Sequence, residues 1–387
     1  MLQKPGAPAA AQAGDFPLRF FEFVALIALL MAITALSIDI MLPALPDIAR
    51  TFAVAEPNRR QLVVSVYFVG FASGQFIFGP VSDRYGRKRP LFVGLGIYVI
   101  GTLFALGAQS FDGLLAARVV QGVGAAAPRV IALAIVRDRF GGREMARVMS
   151  FVMMVFIVVP VLAPGLGEGI QQLASWRMIF AVLLAAAGAA AAWIALRLPE
   201  TQHPEDRIPL SAAAVGRAVL LVATTRQTVG YIVAMGFVFA LMVSYIVSAE
   251  QVFVGVYELG ASFPLYFGGI ACFMVAASAV NAFAVRTAGM RSISHRALLS
   301  VLAICAALAV QGFPERPPLP VFCLFMAGIF FCFGLIMPNF NALAMEPMSH
   351  IAGTASSIAG FYSTTAAAII GTTIGQSFDG TVRPLFM

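Results

Sequence analysis

Two charged residues lie in runs that leave little room for water. Asp39 stands in Leu36-Ser37-Ile38-Asp39-Ile40-Met41-Leu42, and Arg118 in Leu114-Leu115-Ala116-Ala117-Arg118-Val119-Val120. A charge in an apolar medium is costly and is rarely left without a partner. A carboxylate so placed can take up and release a proton as its surroundings dry or as a neighbour withdraws. An arginine at similar depth on another helix is the natural group to tune it. The competing reading is a static tie between helices. A second cluster is Gly79-Pro80-Val81-Ser82-Asp83-Arg84-Tyr85-Gly86-Arg87-Lys88-Arg89. Here one acid stands among four cations, and two glycines permit a tight turn. Arg129, directly after Pro128, and the neighbours Glu250 and Gln251 are polar within apolar runs. They are candidates for lining a cavity. Snorkelling for Arg129, and interfacial solvation for the other two, are the bland readings.

Other chemistries find no support. The cysteines Cys272, Cys305, Cys323 and Cys332 sit in apolar runs with no metal-ligand spacing, and His203, His295 and His350 form no cluster with them. No Gly-x4-Gly-Lys-Ser/Thr loop is present to cradle a nucleotide. No Ser/His/Asp or Cys/His set stands out. The chain reads as a protein without metal or cofactor, and not as an enzyme.

The elements that must position these residues follow from composition. Of 387 residues 60% are apolar and only 11% charged. Soluble domains run nearer 45–50% apolar and about 25% charged. A soluble enzyme or binding module is therefore excluded. A spanning helix needs roughly 20 apolar residues, so the chain holds enough for about eleven or twelve. The apolar runs divide into spans at 20–44, 61–82, 90–109, 111–136, 147–169, 176–196, 229–253, 263–285, 297–312, 319–341 and 351–376. The lipid bilayer is thus the expected surrounding.

The net charge of +7 does not indicate nucleic acid, because basic residues gather in cytoplasmic loops of polytopic chains. With the N-terminus inside, 17 of the 25 Lys and Arg fall on inner segments, six on outer segments, and Arg118 and Arg129 within a span. Residues 1–19 read as a disordered cytoplasmic tail. Residues 20–197 form a six-helix half, and 198–228 a polar cytoplasmic linker. Residues 229–387 form a second half of five spans plus the start of a sixth. Two halves of six would need a twelfth helix, which is largely missing here, and truncation is the preferred explanation. Eleven spans that start inside end outside.

The loop from Gly79 to Arg89 strongly resembles the signature of the major facilitator superfamily. In that family the motif locks helices together at the inner face and is broken as the carrier changes state. The resemblance implies a gating role for Gly79, Asp83, Arg84, Gly86 and Arg87, with Asp83 near the start of the eleventh span, at His350 to Ser356. Arg118-x-x-Gln121-Gly122-x-Gly124 is similar to the family's proton-coupled fourth-span motif. Pro160-Val161-Leu162-Ala163-Pro164-Gly165-Leu166-Gly167 resembles in part the antiporter motif of the fifth span, keeping Pro164 and Gly167. Asp39 to Pro46, Gly74-Gln75, Val136-Arg137-Asp138 and Leu198-Pro199-Glu200-Thr201 resemble the bicyclomycin-resistance/CflA branch of drug:proton antiporters. The stretch from Asn281 to Arg296 is a decayed echo of the signature, as two homologous halves would leave.

What the resemblance implies is an all-helical membrane protein of two six-helix halves. It would be a monomer of the cell inner membrane that moves drug-like amphiphiles outward in exchange for protons. The 33 Phe and 17 Met offer deformable apolar surface for such substrates, though lipid-facing filler explains most of them. Asp39 is then the main proton-sensitive carboxylate, tuned by Arg118. A metabolite exporter or importer of the same fold is the alternative. A non-transporting membrane sensor or enzyme would need a domain or catalytic set that is not visible.

Overall fold

The computed structural model describes residues 17–207, 211–312 and 314–386, and no strand occurs among them. The helices are α1 (Phe20–Asp39), α2 (Leu45–Thr51), α3 (Leu62–Tyr85), α4 (Lys88–Leu106), α5 (Phe111–Arg139), α6 (Gly142–Leu173) and α7 (Arg177–Arg197). After the linker come α8 (Ala212–Thr224), α9 (Arg226–Glu250), α10 (Phe263–Ala288), α11 (Met290–Val310), α12 (Leu319–Met345), α13 (Ala352–Gln376) and the single turn α14 (Arg383–Phe386). Among the described residues ten helical segments are long and apolar enough to cross a membrane. The helix α6, with 32 residues, matches the fifth span of the sequence. The long helices therefore follow the eleven expected spans, and the molecule is a multi-span membrane protein.

Two bundles form. In the first, α5 packs against both α3 and α4, and α1 lies against α5, α6 and α7. In the second, α12 packs against α9, α10 and α11, and α13 against α9. The bundles meet where α3 faces α13 and where α6 faces α10. Close approach in the first bundle depends on small residues. A side chain on Gly70 or Gly74 would collide with the α5 backbone at Val119 or Val123, and one on Gly122 with the α3 backbone at Tyr67. On the other side of α5, Gly124 is pressed against Tyr98 of α4. Glycine here lets the backbones touch, as in small-residue helix packing within membranes.

Two elements differ from the sequence reading. The first span does not run unbroken to residue 44. It ends at Asp39, passes through a 3-10 turn at Leu42–Ala44 and resumes as α2 to Thr51. The cause is Pro43, which has no N–H to give the Asp39 carbonyl. Asp39 is therefore about 18 Å from Thr51 by helical rise, deep in a longer span. Second, the linker is not wholly polar. It holds α8, which buries Ala218 and Val222 and leaves Leu220 exposed, and which packs on α9 and α13.

The bias of Lys and Arg makes the end of the bundles that carries Gly79 to Arg89 the inner one. Residues 377–386 lie at the opposite end. There the Val382 N–H donates to the Glu315 carbonyl at 2.9 Å, and Arg383 pairs with Glu315 at 3.3 Å.

Candidate functional site

The deep polar centre of the first bundle is built on α1, α3, α4 and α5. Arg118 is fully buried. Its guanidinium donates to the Val63 carbonyl at 3.0 Å, to the Ser37 carbonyl at 2.9 Å and to Oε1 of Gln121. It also lies over the Tyr67 ring, 4.5 Å from the centroid. Gln121 passes the network on to Thr102 at 2.9 Å. Ser37 and Tyr98 share a hydrogen bond of 2.6 Å, and Tyr67 donates to the Thr34 carbonyl at 3.3 Å. Every hydrogen-bonding arm of Arg118 is thus used within the bundle.

Asp39 is not one of those arms. The expected ion pair between Asp39 and Arg118 does not form. The arginine takes the Ser37 carbonyl, two residues earlier on α1. Asp39 is 3% exposed and Oδ1 has no hydrogen-bond partner among the described residues. The buried hydroxyl of Tyr245, on α9 in the other bundle, is also without a hydrogen bond among the described residues. Rings of Phe253, Phe267 and Phe330 surround Tyr245 at 4.8–6.1 Å between centroids. The break after Asp39 is gripped by α6. A side chain at Gly167 would strike the Ile40 carbonyl and approach Pro43. Of the fifth-span motif, Pro164 and Gly167 are buried and Pro160 is half-buried. On its other side α6 meets α10, where Gly268 lies against the Val161 carbonyl. The motif therefore joins the α1 break to the second bundle.

The inner cluster is held by Arg87. Its Nε and Nη2 form a fork on Asp138 at 2.8 and 3.1 Å, and Nη1 donates to Asp83 at 2.6 Å and to Ser82 at 3.1 Å. Two acids share one buried guanidinium, the strong bidentate geometry that arginine alone provides. Gly86 makes the turn between α3 and α4 at a φ of 88°, a left-handed value that favours glycine. Glu200 accepts from the N–H groups of Arg87 and Lys88 at 2.8 and 3.1 Å and so caps α4. A carboxylate at a helix start satisfies open N–H groups and the dipole together. Across the bundle boundary, Asp83 faces Gly353 in the first turn of α13, and Gly79 is pressed against Ser357. Gln75 donates to Thr364 at 2.8 Å. Arg84 is exposed.

Sequence reasoning passed over two members of this cluster. Asp138 and Glu200 stood out only as parts of a resemblance, and neither was given a partner. The cluster makes one expectation concrete. Asp83→Asn keeps the shape and leaves Arg87 forked on Asp138, so the protein should fold and insert. Loss of the Asp83 charge at the first turn of α13, worth roughly 0.3–2 kcal/mol at a helix N-terminus, should weaken inner closure several-fold and slow transport. Wild-type rates in proteoliposomes would remove the gating role of Asp83.

Glu250 and Gln251 do not line an open cavity. Both are buried at the outer end of α9 and bonded to residues 58–61 of the first bundle. Arg129 is half-buried in α5, ten residues before the helix ends and so roughly 15 Å deep. The four cysteines are free.

Two bundles of long apolar helices joined along α3–α13 and α6–α10, with small-residue contacts between them, define the architecture of a membrane transporter. The pattern of the Major Facilitator Superfamily matches residues 27–372. The chain belongs to that superfamily, and to its side with drug-resistance relatives: it is a transporter of small molecules and not an enzyme. It is 30% identical over 357 residues to an uncharacterised transporter of this type, YdgK, from Bacillus subtilis, covering 90% of this chain and 87% of that one. It is 29% identical over 374 residues to the bicyclomycin resistance protein homolog of Haemophilus influenzae, covering 94% and 92%. In fold it is similar to the human organic anion transporter MFSD10, with a TM-score of 0.70 at 18% identity over 95% of this chain and 96% of that one.

Proposed function

We propose that this transporter exports amphiphilic drug-like molecules and is driven by protons moving inward. On this reading the chain acts as a monomer in the cell inner membrane with its N-terminus in the cytoplasm. The observation that carries the proposal is Asp39. It is a buried carboxylate with an unpartnered oxygen at a helix break. An ionised carboxylate without a partner is expensive there, and binding a proton removes the charge. Proton binding and bundle movement are then linked, because separating the bundles changes which groups and how much water Asp39 meets. Arg118 acts at one remove: by holding the Ser37 carbonyl it fixes the last turn of α1 and hence the carboxylate. Proline and glycine of α6 press on the same break. The drug-resistance names of several relatives support the substrate class, and the aromatic rings around Tyr245 suit it.

The test is substrate-induced proton movement in everted vesicles carrying the protein. Addition of an exported amphiphile to energised vesicles should release protons from the lumen, and a protonophore should abolish substrate accumulation. Accumulation that survives the protonophore would overturn proton coupling. Movement of substrate in the opposite sense would overturn export.

A further inference from the structure

The outer end of the molecule holds a second closure that no signature motif marks. Residues 57–61 form a 3-10 turn leading into α3 in the first bundle. Of its polar side chains, Arg59 pairs with Asp112 of the first bundle at 3.2 Å, whereas Asn58, Arg60 and Gln61 reach the second bundle. Arg60 Nε lies 2.9 Å from Glu250 Oε2, a contact of charge and distance rather than an aligned hydrogen bond. Gln61 donates to the same oxygen at 3.2 Å. Gln251 donates to Asn58 at 2.8 Å. Asn58 in turn donates to the carbonyls of Gln376 and Phe378 at 3.0 and 2.8 Å, and the Gln376 side chain returns a bond to the Asn58 carbonyl at 2.7 Å.

The local backbone explains how two neighbours on α9 serve one partner segment. Successive side chains on an α-helix diverge by about 100°, so Glu250 and Gln251 would not both face the first bundle on a regular helix. From Gln251 to Val256 the chain is π-helical, a wider turn that often marks functional positions. Both side chains reach residues 58–61 at this transition. Glu250 is 1% exposed, so its charge is tolerable only while Arg60 stands beside it. Parting the bundles on this side must remove Arg60 and Gln61 from Glu250 together, and water must then replace them.

We propose that Arg60 and Glu250, with Gln61, Asn58 and Gln251, form the latch that holds the carrier closed at its outer end, and that breaking the pair shifts the resting protein toward the outward-open state. Arg60 and Glu250 are positioning residues that set the balance between states without touching substrate. The inference needs only that the two bundles rock, so it stands or falls apart from the identity of the substrate and from proton coupling.

Spin labels at the exposed positions Glu56 and Glu258, one on each bundle, read the outer separation by pulsed dipolar spectroscopy. Glu250→Gln preserves volume and the bond to Gln61 while removing the charge. It should lower the ratio of short to long distances by roughly tenfold or more, and Arg60→Ala should do the same. The exchanged pair Arg60→Glu with Glu250→Arg should restore the short distance. Gln61 Oε1 has no partner among the described residues, so its amide can turn to accept from the relocated arginine. An unchanged distribution in Glu250→Gln overturns the latch, as does failure of the exchanged pair to restore closure. If Arg60→Ala does not fold, Glu250→Gln and the exchanged pair decide the matter without it.

Discussion

Asp39→Asn is expected to abolish proton-driven export while leaving a folded protein that binds substrate. Asparagine has the same shape and cannot exchange a proton at neutral pH. Since Asp39 makes no ion pair and Oδ1 no hydrogen bond among the described residues, the substitution breaks no tie between helices. Removing an unpartnered buried charge is neutral or favourable for folding. Folded yield and melting temperature should therefore equal or exceed those of the wild type. Uphill accumulation in everted vesicles should fall to the level seen with a protonophore, whereas downhill exchange of substrate persists. Retained uphill export with normal proton movement would take the proton site away from Asp39. A collapsed yield would instead mean that Asp39 has a structural partner.

Much of this was readable in the sequence, for physical reasons that also mark where reading stopped. Charge in an apolar run is costly wherever the run is buried, so Asp39 and Arg118 were visible without coordinates. The spans followed from the same bookkeeping, because a membrane sets helix length. Partners were not visible. Arg118 and Asp39 share a depth, and depth alone suggested a pair. What decides pairing is which carbonyls a break in α1 leaves open and which residue the rotated helix face presents. Pro43 is legible in the sequence, but that its missing N–H ends α1 at Asp39 depends on the helix running up to it.

The two closures show the same limit more sharply. The inner one lies in a contiguous stretch of sequence, from Gly79 to Arg89, so its acid and cations announced themselves. Yet Asp138 and Glu200 complete it from 51 and 113 residues beyond Arg87. At the outer end nothing is contiguous. Glu250 is 189 residues from Gln61, and Arg60 is one of six basic residues on outer segments. A polar residue near a helix end looks solvated until another bundle is brought over it. The signature motif of the first half has only a faint echo in the second. The two bundles are joined by unlike chemistry at opposite ends: Asp83, Gly79 and Gln75 of α3 against the first turns of α13 inside, and a carboxylate between arginine and glutamine outside.

Arg118→Ala should be the most damaging single substitution in the first bundle, and its failure should differ in kind from that of Asp39→Asn. The guanidinium serves carbonyls on α1 and α3 and a side chain on its own helix. Alanine leaves the Ser37 and Val63 carbonyls and Gln121 without their donor, at roughly 1–3 kcal/mol for each buried unsatisfied group. It also opens a void beneath the Tyr67 ring. Lysine is no substitute, since a single ammonium cannot present the fixed fork that reaches three acceptors. Arg118→Ala and Arg118→Lys should both lower folded yield and melting temperature in fluorescence-detected size exclusion, with alanine the worse. Because the last turn of α1 is no longer fixed at Ser37, the remaining folded protein should also lose coupling. Coupling lost with full stability would assign Arg118 a direct part in proton movement, and full stability with normal coupling would show that the buried network can be rebuilt without it.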